Sequence, residues 1–161
     1  MTIKHFEEID LNNLSDYYSK EIKLNGNTVN VDLNFDSATL TESDVNNLNN
    51  VFNLLQDLLK NSLTWIQQDL RTGVDVQEYI NFHLEDFFEE EPEEILVGTD
   101  KSLSNQDRFL QTLHVSRIGI YPSTKDNYVV MDYMTNEDLS NYILVINVKS
   151  DLNLNYITIE S

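Results

Sequence analysis

Hydrophobic and polar residues alternate along two stretches near the N-terminus. Ile22 and Leu24 lead into Asn25-Gly26-Asn27, and then Val29, Val31, Leu33 and Phe35 alternate with Asn30, Asp32 and Asn34. Period-two runs on either side of an Asn-Gly pair specify a tight β-hairpin, because both turn residues tolerate a positive φ. The second strand of that hairpin is expected to be buried on one face and wet on the other. Ahead of it, residues 1–19 carry Ile3, Phe6, Ile9 and Leu14 at no fixed period, which fits an irregular arm or a short helix.

The period then lengthens. Thr41 or Ser43 can cap a helix whose apolar stripe runs through Val45, Leu48, Phe52, Leu55 and Leu59 and on to Leu63, Ile66 and Leu70, with Trp65 alongside and Gly73 as the stop. Because the pattern exceeds the usual ~10–14 residues of a helix, a break is expected near Lys60–Ser62. A further helix is expected from an Asp75 N-cap, with Val76, Tyr79, Ile80, Leu84 and Phe87 facing inward and His83 beside them. The run Glu89-Glu90-Glu91-Pro92-Glu93-Glu94 ends it, since proline cannot continue a helix and clustered carboxylates repel. After a linker near Gly98–Asn105, residues 106–113 suit a short helix.

The C-terminal third alternates again, over 114–121, 127–134, 141–149 and 154–160, with polar turns too short for crossovers. Centring those turns gives a self-consistent register. Ile118 pairs with Met131, Ile120 with Val129 and Arg117 with Asp132; Met131 pairs with Leu144 and Tyr133 with Tyr142; Leu144 pairs with Ile159 and Ile146 with Ile157. One face then collects the aliphatic residues together with Met131, Tyr133 and Tyr142. The other collects Arg117, Gly119, Tyr121, Tyr128, Val130, Asp132, Met134, Val145, Asn147, Tyr156 and Thr158. A one-residue slip would scramble both sets. Strands and helices are segregated in the order β-β-α-α-α-β-β-β-β, which predicts a single α+β domain spanning 1–161: an antiparallel sheet of about six strands with helices on one face.

Composition narrows the function classes. The 161 residues hold 28 Asp+Glu against 10 Lys+Arg, a net charge of −18, with no cysteine. That charge repels phosphate backbones and argues against nucleic acid as a partner. Absence of cysteine excludes disulfide scaffolds, thiol catalysis and thiolate metal sites. No apolar run reaches the length of a membrane span, and the first residues lack the apolar stretch of a signal peptide, so a cytoplasmic location is expected. Paired asparagines such as Asn12-Asn13, Asn46-Asn47 and Asn49-Asn50 interleave with periodic apolar residues and read as folded chain, not as a low-complexity tract.

Chemistry-bearing motifs are sparse. His5, His83 and His114 fall in no metal-binding spacing, and the four glycines form no phosphate-binding loop or nucleophile elbow, so no cofactor or metal is expected. Two surfaces stand out instead. The helix-free sheet face offers Arg117, Tyr121, Tyr128, Asp132 and Tyr156, residue types enriched at protein contacts. The acidic run offers Glu90, Glu91, Glu93 and Glu94, which would steer a basic partner. A competing expectation is a small hydrolase or metal-dependent enzyme, with His83 and Glu85 or Asp86 converging on a pocket between helices and sheet. A third is an accessory subunit in which the acidic shell serves solubility.

The segments Arg117-Ile118-Gly119-Ile120-Tyr121-Pro122, Met131-Asp132-Tyr133, Leu144-Val145-Ile146 and Ile157-Thr158-Ile159-Glu160-Ser161 resemble a bacterial domain-of-unknown-function family, the one numbered two thousand and four. The resemblance covers the last ~50 residues best. It implies a fold and a bacterial origin, with no activity to carry over. Small acidic bacterial proteins of this build look like immunity proteins, which bind and block a toxin. The expectation that follows, by analogy of size and charge alone, is a non-catalytic binding protein that occludes a basic, toxin-like protein.

Overall fold

A computed structural model describes all residues from Met1 to Ser161. Strands β1 (Tyr17–Leu24) and β2 (Asn27–Asn34) form the hairpin, and Asn25 and Gly26 at its tip both take positive φ, 52° and 83°. Three helices follow: α1 (Glu42–Thr72), α2 (Asp75–Asn81) and α3 (Asn105–Thr112). A meander of β3 (His114–Ile120), β4 (Val129–Met134), β5 (Ile143–Val148) and β6 (Leu154–Glu160) completes an α+β fold. The sheet order is β1-β2-β3-β4-β5-β6, antiparallel throughout except at β2–β3, which run parallel. The helical block is therefore the crossover that a parallel neighbour requires. No helix is long and apolar enough to cross a membrane.

Residues 1–16 form an irregular arm with no helix. Ile3 and Phe6 are buried against the core, Asn49 on α1 accepts from the Lys4 amide, and Asn49 also donates to the Thr2 carbonyl. Helix α1 starts at a capping box in which Thr41 and Asp44 exchange bonds. It then runs unbroken through Lys60–Ser62, contrary to the expected interruption. Ser62 takes the core position that spacing alone assigned to Leu63: its hydroxyl is 2.7 Å from the Leu59 carbonyl and 2.6 Å from the Tyr133 hydroxyl on β4. Leu63 is 44% exposed.

Helix α2 begins one residue earlier than expected. Val74, not Asp75, is its N-cap, and its missing side-chain cap comes from α1, whose Asp69 carboxylate accepts from the Val76 amide at 2.7 Å. Gly73 makes this possible, because a Cβ there would land on the Asp69 carboxylate. After Asn81 the helix widens into a π-turn over Phe82–Phe87. The wider turn rotates the side chains, so His83 and Phe88 enter the core and Phe87 points to solvent.

Meander registers at β3–β4 and β5–β6 follow the alternation: Arg117 opposite Asp132, Ile118 opposite Met131, Leu144 opposite Ile159. Between β4 and β5 the turn is longer than expected, pairing Met131 with Ile146 and Tyr133 with Leu144. The two-residue shift preserves the faces. It arises because 135–142 is a packed loop in which Ser140 bonds His83 and the Tyr142 carbonyl accepts from the Tyr79 hydroxyl, so Tyr142 lies outside the strand. Ile118, Ile120, Val129, Met131, Leu144 and Ile146 are all buried beneath the helices.

Candidate functional site

The helix-free face of the sheet carries a polar network built across three strands. Arg117 on β3 donates from Nε and Nη2 to both oxygens of Asp32 on β2, at 2.7 and 3.0 Å, and from Nη1 to Asp132 on β4 at 3.1 Å. Its Nη2 also donates to the Tyr121 hydroxyl at 2.8 Å, and Asn34 donates to Asp32 at 2.6 Å. Asp32 lies beside Gly119 in the parallel register, so the guanidinium crosses Gly119 to reach it. A Cβ at Gly119 would sit 2.7 Å from Nη2 of Arg117 and 2.9 Å from the Tyr121 ring. Glycine is needed there because the arginine and the tyrosine lie flat on the backbone.

Two bulges flank this network. Ser116 is left unpaired between Val115 and Arg117, and the β5–β6 register slips between Asn147 and Val148. Such irregularities re-aim neighbouring side chains. Asp32 is fully buried although alternation placed it on the wet side of β2, and Asp132 is nearly so. Burial pushes the Asp132 carboxyl above the ordinary aspartate value, partly opposed by Arg117 and reinforced by Asp32. Burial also opposes the charge on Arg117, but the bonds to Tyr121, Asp32 and Asp132 outweigh it and hold the guanidinium protonated. One cation thus faces two carboxylates, leaving the group one negative charge in excess.

Asn147 on β5 is the other feature of this face. It is 4% exposed, and its amide nitrogen is buried with no hydrogen-bond partner. The register sets it opposite Val130 and Tyr156, one diagonal step from Asp132, which faces Val145. Leaving such a donor unpaired costs about 1–3 kcal/mol.

The residues singled out from the sequence separate into those that meet on this face and those that do not. Arg117, Tyr121 and Asp132 come together. Tyr156 is on the same face, 45% exposed, with its hydroxyl 3.3 Å from Asn127. Tyr128 is not available: it is packed in the core cluster, where burial, and then the Asp44 carboxylate at the start of α1, push its hydroxyl up to about 12. Asn147 lies on the face to which alternation assigns it. Asp32 and Asn34 were missed, because the parallel β2–β3 pair that brings Asp32 to Arg117 is not revealed by alternation.

The acidic run also divides. Glu90, Glu91 and Glu94 are exposed. Glu93 is a structural latch: its two oxygens accept from Arg108 on α3 at 2.6 and 2.9 Å, and Lys101 lies 3.6 Å away. Arg108, bonded to it, holds the Glu93 carboxyl below its ordinary value. Arg108 also donates to Thr99 and the Leu96 carbonyl, pinning the 93–99 segment to α3.

His83 is enclosed. The Tyr79 carbonyl can only accept, so Nδ1 carries the proton and donates at 2.7 Å, and Nε2 accepts from the Ser140 hydroxyl at 2.7 Å. Tyr79, Phe82 and Phe109 surround the ring. Burial lowers its basicity against the opposing pull of the Tyr79 carbonyl. Glu85 and Asp86 are exposed and do not converge with it, so the pocket expected of a hydrolase is not formed by these three side chains. Nowhere do three His, Asp or Glu side chains gather closely enough to hold a metal ion. A groove of about 860 Å³ lies between α1 and α3, lined by Leu63, Ile66, Leu103, Leu110 and Leu113 and crossed by the Arg71–Asp107 ion pair. No known family model, curated protein or solved structure matches the chain.

Proposed function

We propose that this is a non-catalytic binding protein of the cytoplasm that captures a basic protein and blocks it by occlusion, as an immunity protein does with a toxin. The observation that carries this reading is the uncompensated charge. Only Glu8, Glu93, Asp107, Asp32 and Asp132 of the 28 carboxylates lie within ion-pair distance of a lysine or arginine. The rest present a negative field that attracts cationic surfaces, raises association rates and weakens with salt. The enclosed His83 and the dispersed Glu85 and Asp86 favour binding over catalysis.

The test is affinity capture from the source cells, with the wild-type chain and the E90Q/E91Q/E94Q variant as parallel baits. Glu93 is left in place because its loss would unlatch Arg108. A protein with pI above about 9 is expected on the wild-type bait, released by moderate salt and depleted on the variant. Retention of no basic protein, or retention indifferent to salt, overturns the reading.

A further inference from the structure

We infer that β6 pairs, antiparallel and about a twofold axis, with β6 of a second copy of this chain, so that two sheets join into one. This goes beyond the capture of a basic protein proposed above and does not depend on it. The sheet has two edges, β1 and β6, and they are unlike. On β1 the exposed residues include Lys20, Glu21 and Lys23, and Lys20 is tied to the N-terminal arm through the His5 carbonyl at 2.7 Å. Charged side chains, lysine above all, keep an edge from pairing. On β6 the run Leu154-Asn155-Tyr156-Ile157-Thr158-Ile159 includes no charge and no proline. Beyond the pairing with β5, no main-chain group of 154–161 bonds the main chain of any other segment. A neutral run of strand-forming residues on an open edge is a self-pairing sequence.

The edge selects a copy of this chain over other occupants. A basic partner finds no carboxylate on Leu154–Ile159 to recognise, whereas β6 matches itself. With the twofold at Ile157, the midpoint of Leu154–Glu160, Ile157 faces its counterpart in the second copy, Tyr156 faces Thr158, Asn155 faces Ile159 and Leu154 faces Glu160. Every pair then keeps its side of the sheet, an aromatic ring meets a β-branched residue, and Glu160 meets no second carboxylate. The pairing also ends at two copies. It consumes both β6 edges and leaves only the charged β1 edges, whereas a head-to-tail contact of β6 with β1 would build an open fibre against Lys20, Glu21 and Lys23. Opposing the dimer is the net charge of −18 on each copy, a repulsion screened beyond about 8 Å at physiological salt.

Sedimentation velocity on the full chain, from about 10 μM to about 1 mM, tests this. A monomer–dimer equilibrium is expected, tightening at least about threefold between about 0.05 and about 0.5 M NaCl as the repulsion is screened. Salt acts in the opposite direction on capture of a basic protein, so the two readings fail separately. Tyr156→Lys/Thr158→Lys sets lysine against lysine on both sides of the axis and is expected to weaken the dimer more than about tenfold. It also lowers the net negative charge, so general repulsion cannot account for that loss. Tyr17→Lys on the β1 edge is the control, expected to leave the equilibrium within about twofold of wild type. Amide hydrogen exchange on the wild-type chain keeps the test decisive if the lysine variant does not fold. Protection at alternate β6 amides is expected to rise with protein concentration while that of β1 stays constant. A monomer at every concentration overturns the inference. So does a dimer indifferent to the β6 lysines in a folded variant, or concentration-dependent protection at β1 or along the α1–α3 groove in place of β6.

Discussion

Removing Arg117 tests the account of the sheet face most directly. In Arg117→Met the stem is kept and the guanidinium is lost, leaving Asp32, wholly buried, and Asp132 side by side without a cation. Breaking a buried ion pair by deleting one partner costs about 3–5 kcal/mol. The arginine side chain is 32% exposed, so solvent screening places the expected loss at the low end, about 3 kcal/mol. For a chain of this size that lowers the melting temperature by about 6–12 °C. The pH dependence has a definite sign. Burial, and then the Asp32 charge, already hold the folded-state Asp132 carboxyl above its ordinary value against the pull of Arg117, and removing the arginine raises it further. Native protein then binds a proton that the unfolded chain does not, so the deficit is largest near neutral pH and shrinks as pH falls through the raised value. Urea unfolding of wild type and variant at about pH 7 and pH 5 measures both gaps. A deficit under about 1 kcal/mol, or one equal at the two pH values, would refute the description of Asp32 and Asp132 as buried charges dependent on this arginine.

Gly119→Ala pushes a methyl into Arg117 and Tyr121 and is expected to cost about 1–3 kcal/mol, with much of that cost absent in an Arg117→Met background; a double-mutant cycle by urea unfolding reads the coupling. Ser62→Ala strands the Tyr133 hydroxyl in the core and should lose about 1–2 kcal/mol, whereas Ser62→Ala with Tyr133→Phe should recover part of it, measured the same way. His83 stays neutral in the folded state below the ordinary imidazole value of 6.5, so protonation favours the unfolded chain and stability falls as pH drops through that value. Thermal melts between about pH 8 and pH 5 should show that slope in wild type and a flatter one in His83→Gln.

What the sequence made legible follows from how local each signal is. The hairpin turn, the Thr41 cap, the α3 helix and the β3–β4 register each depend on residues near one another in the chain, and they appear where expected. The misses depend on distant partners. The break near Lys60–Ser62 is suggested only by the length of the pattern, and nothing local announces that Ser62 turns into the core to meet Tyr133. Asp75 reads as a cap because nothing local announces that Asp69 reaches over Gly73 to do that work. Phe87 reads as core because a 3.6-residue period cannot anticipate a π-turn. On the sheet face, Arg117 and Asp132 were legible as a cross-strand pair. Asp32 was not, since its meeting with Arg117 requires two strands joined by the entire helical block to lie side by side.

That seam orders the assembly of the molecule. The hairpin and the meander are each stitched by short-range pairings that can close quickly, whereas β2 and β3 meet only after residues 35–113 have been folded back on themselves. During synthesis α1 emerges long before β3–β6, so its greasy stripe must wait for the cover that the last third of the chain brings. The pairing of Asn30–Leu33 with Arg117–Ile120 thus closes a loop of the whole helical block, and the Asp32–Arg117 clasp spans that closure, joining the two halves of the sheet.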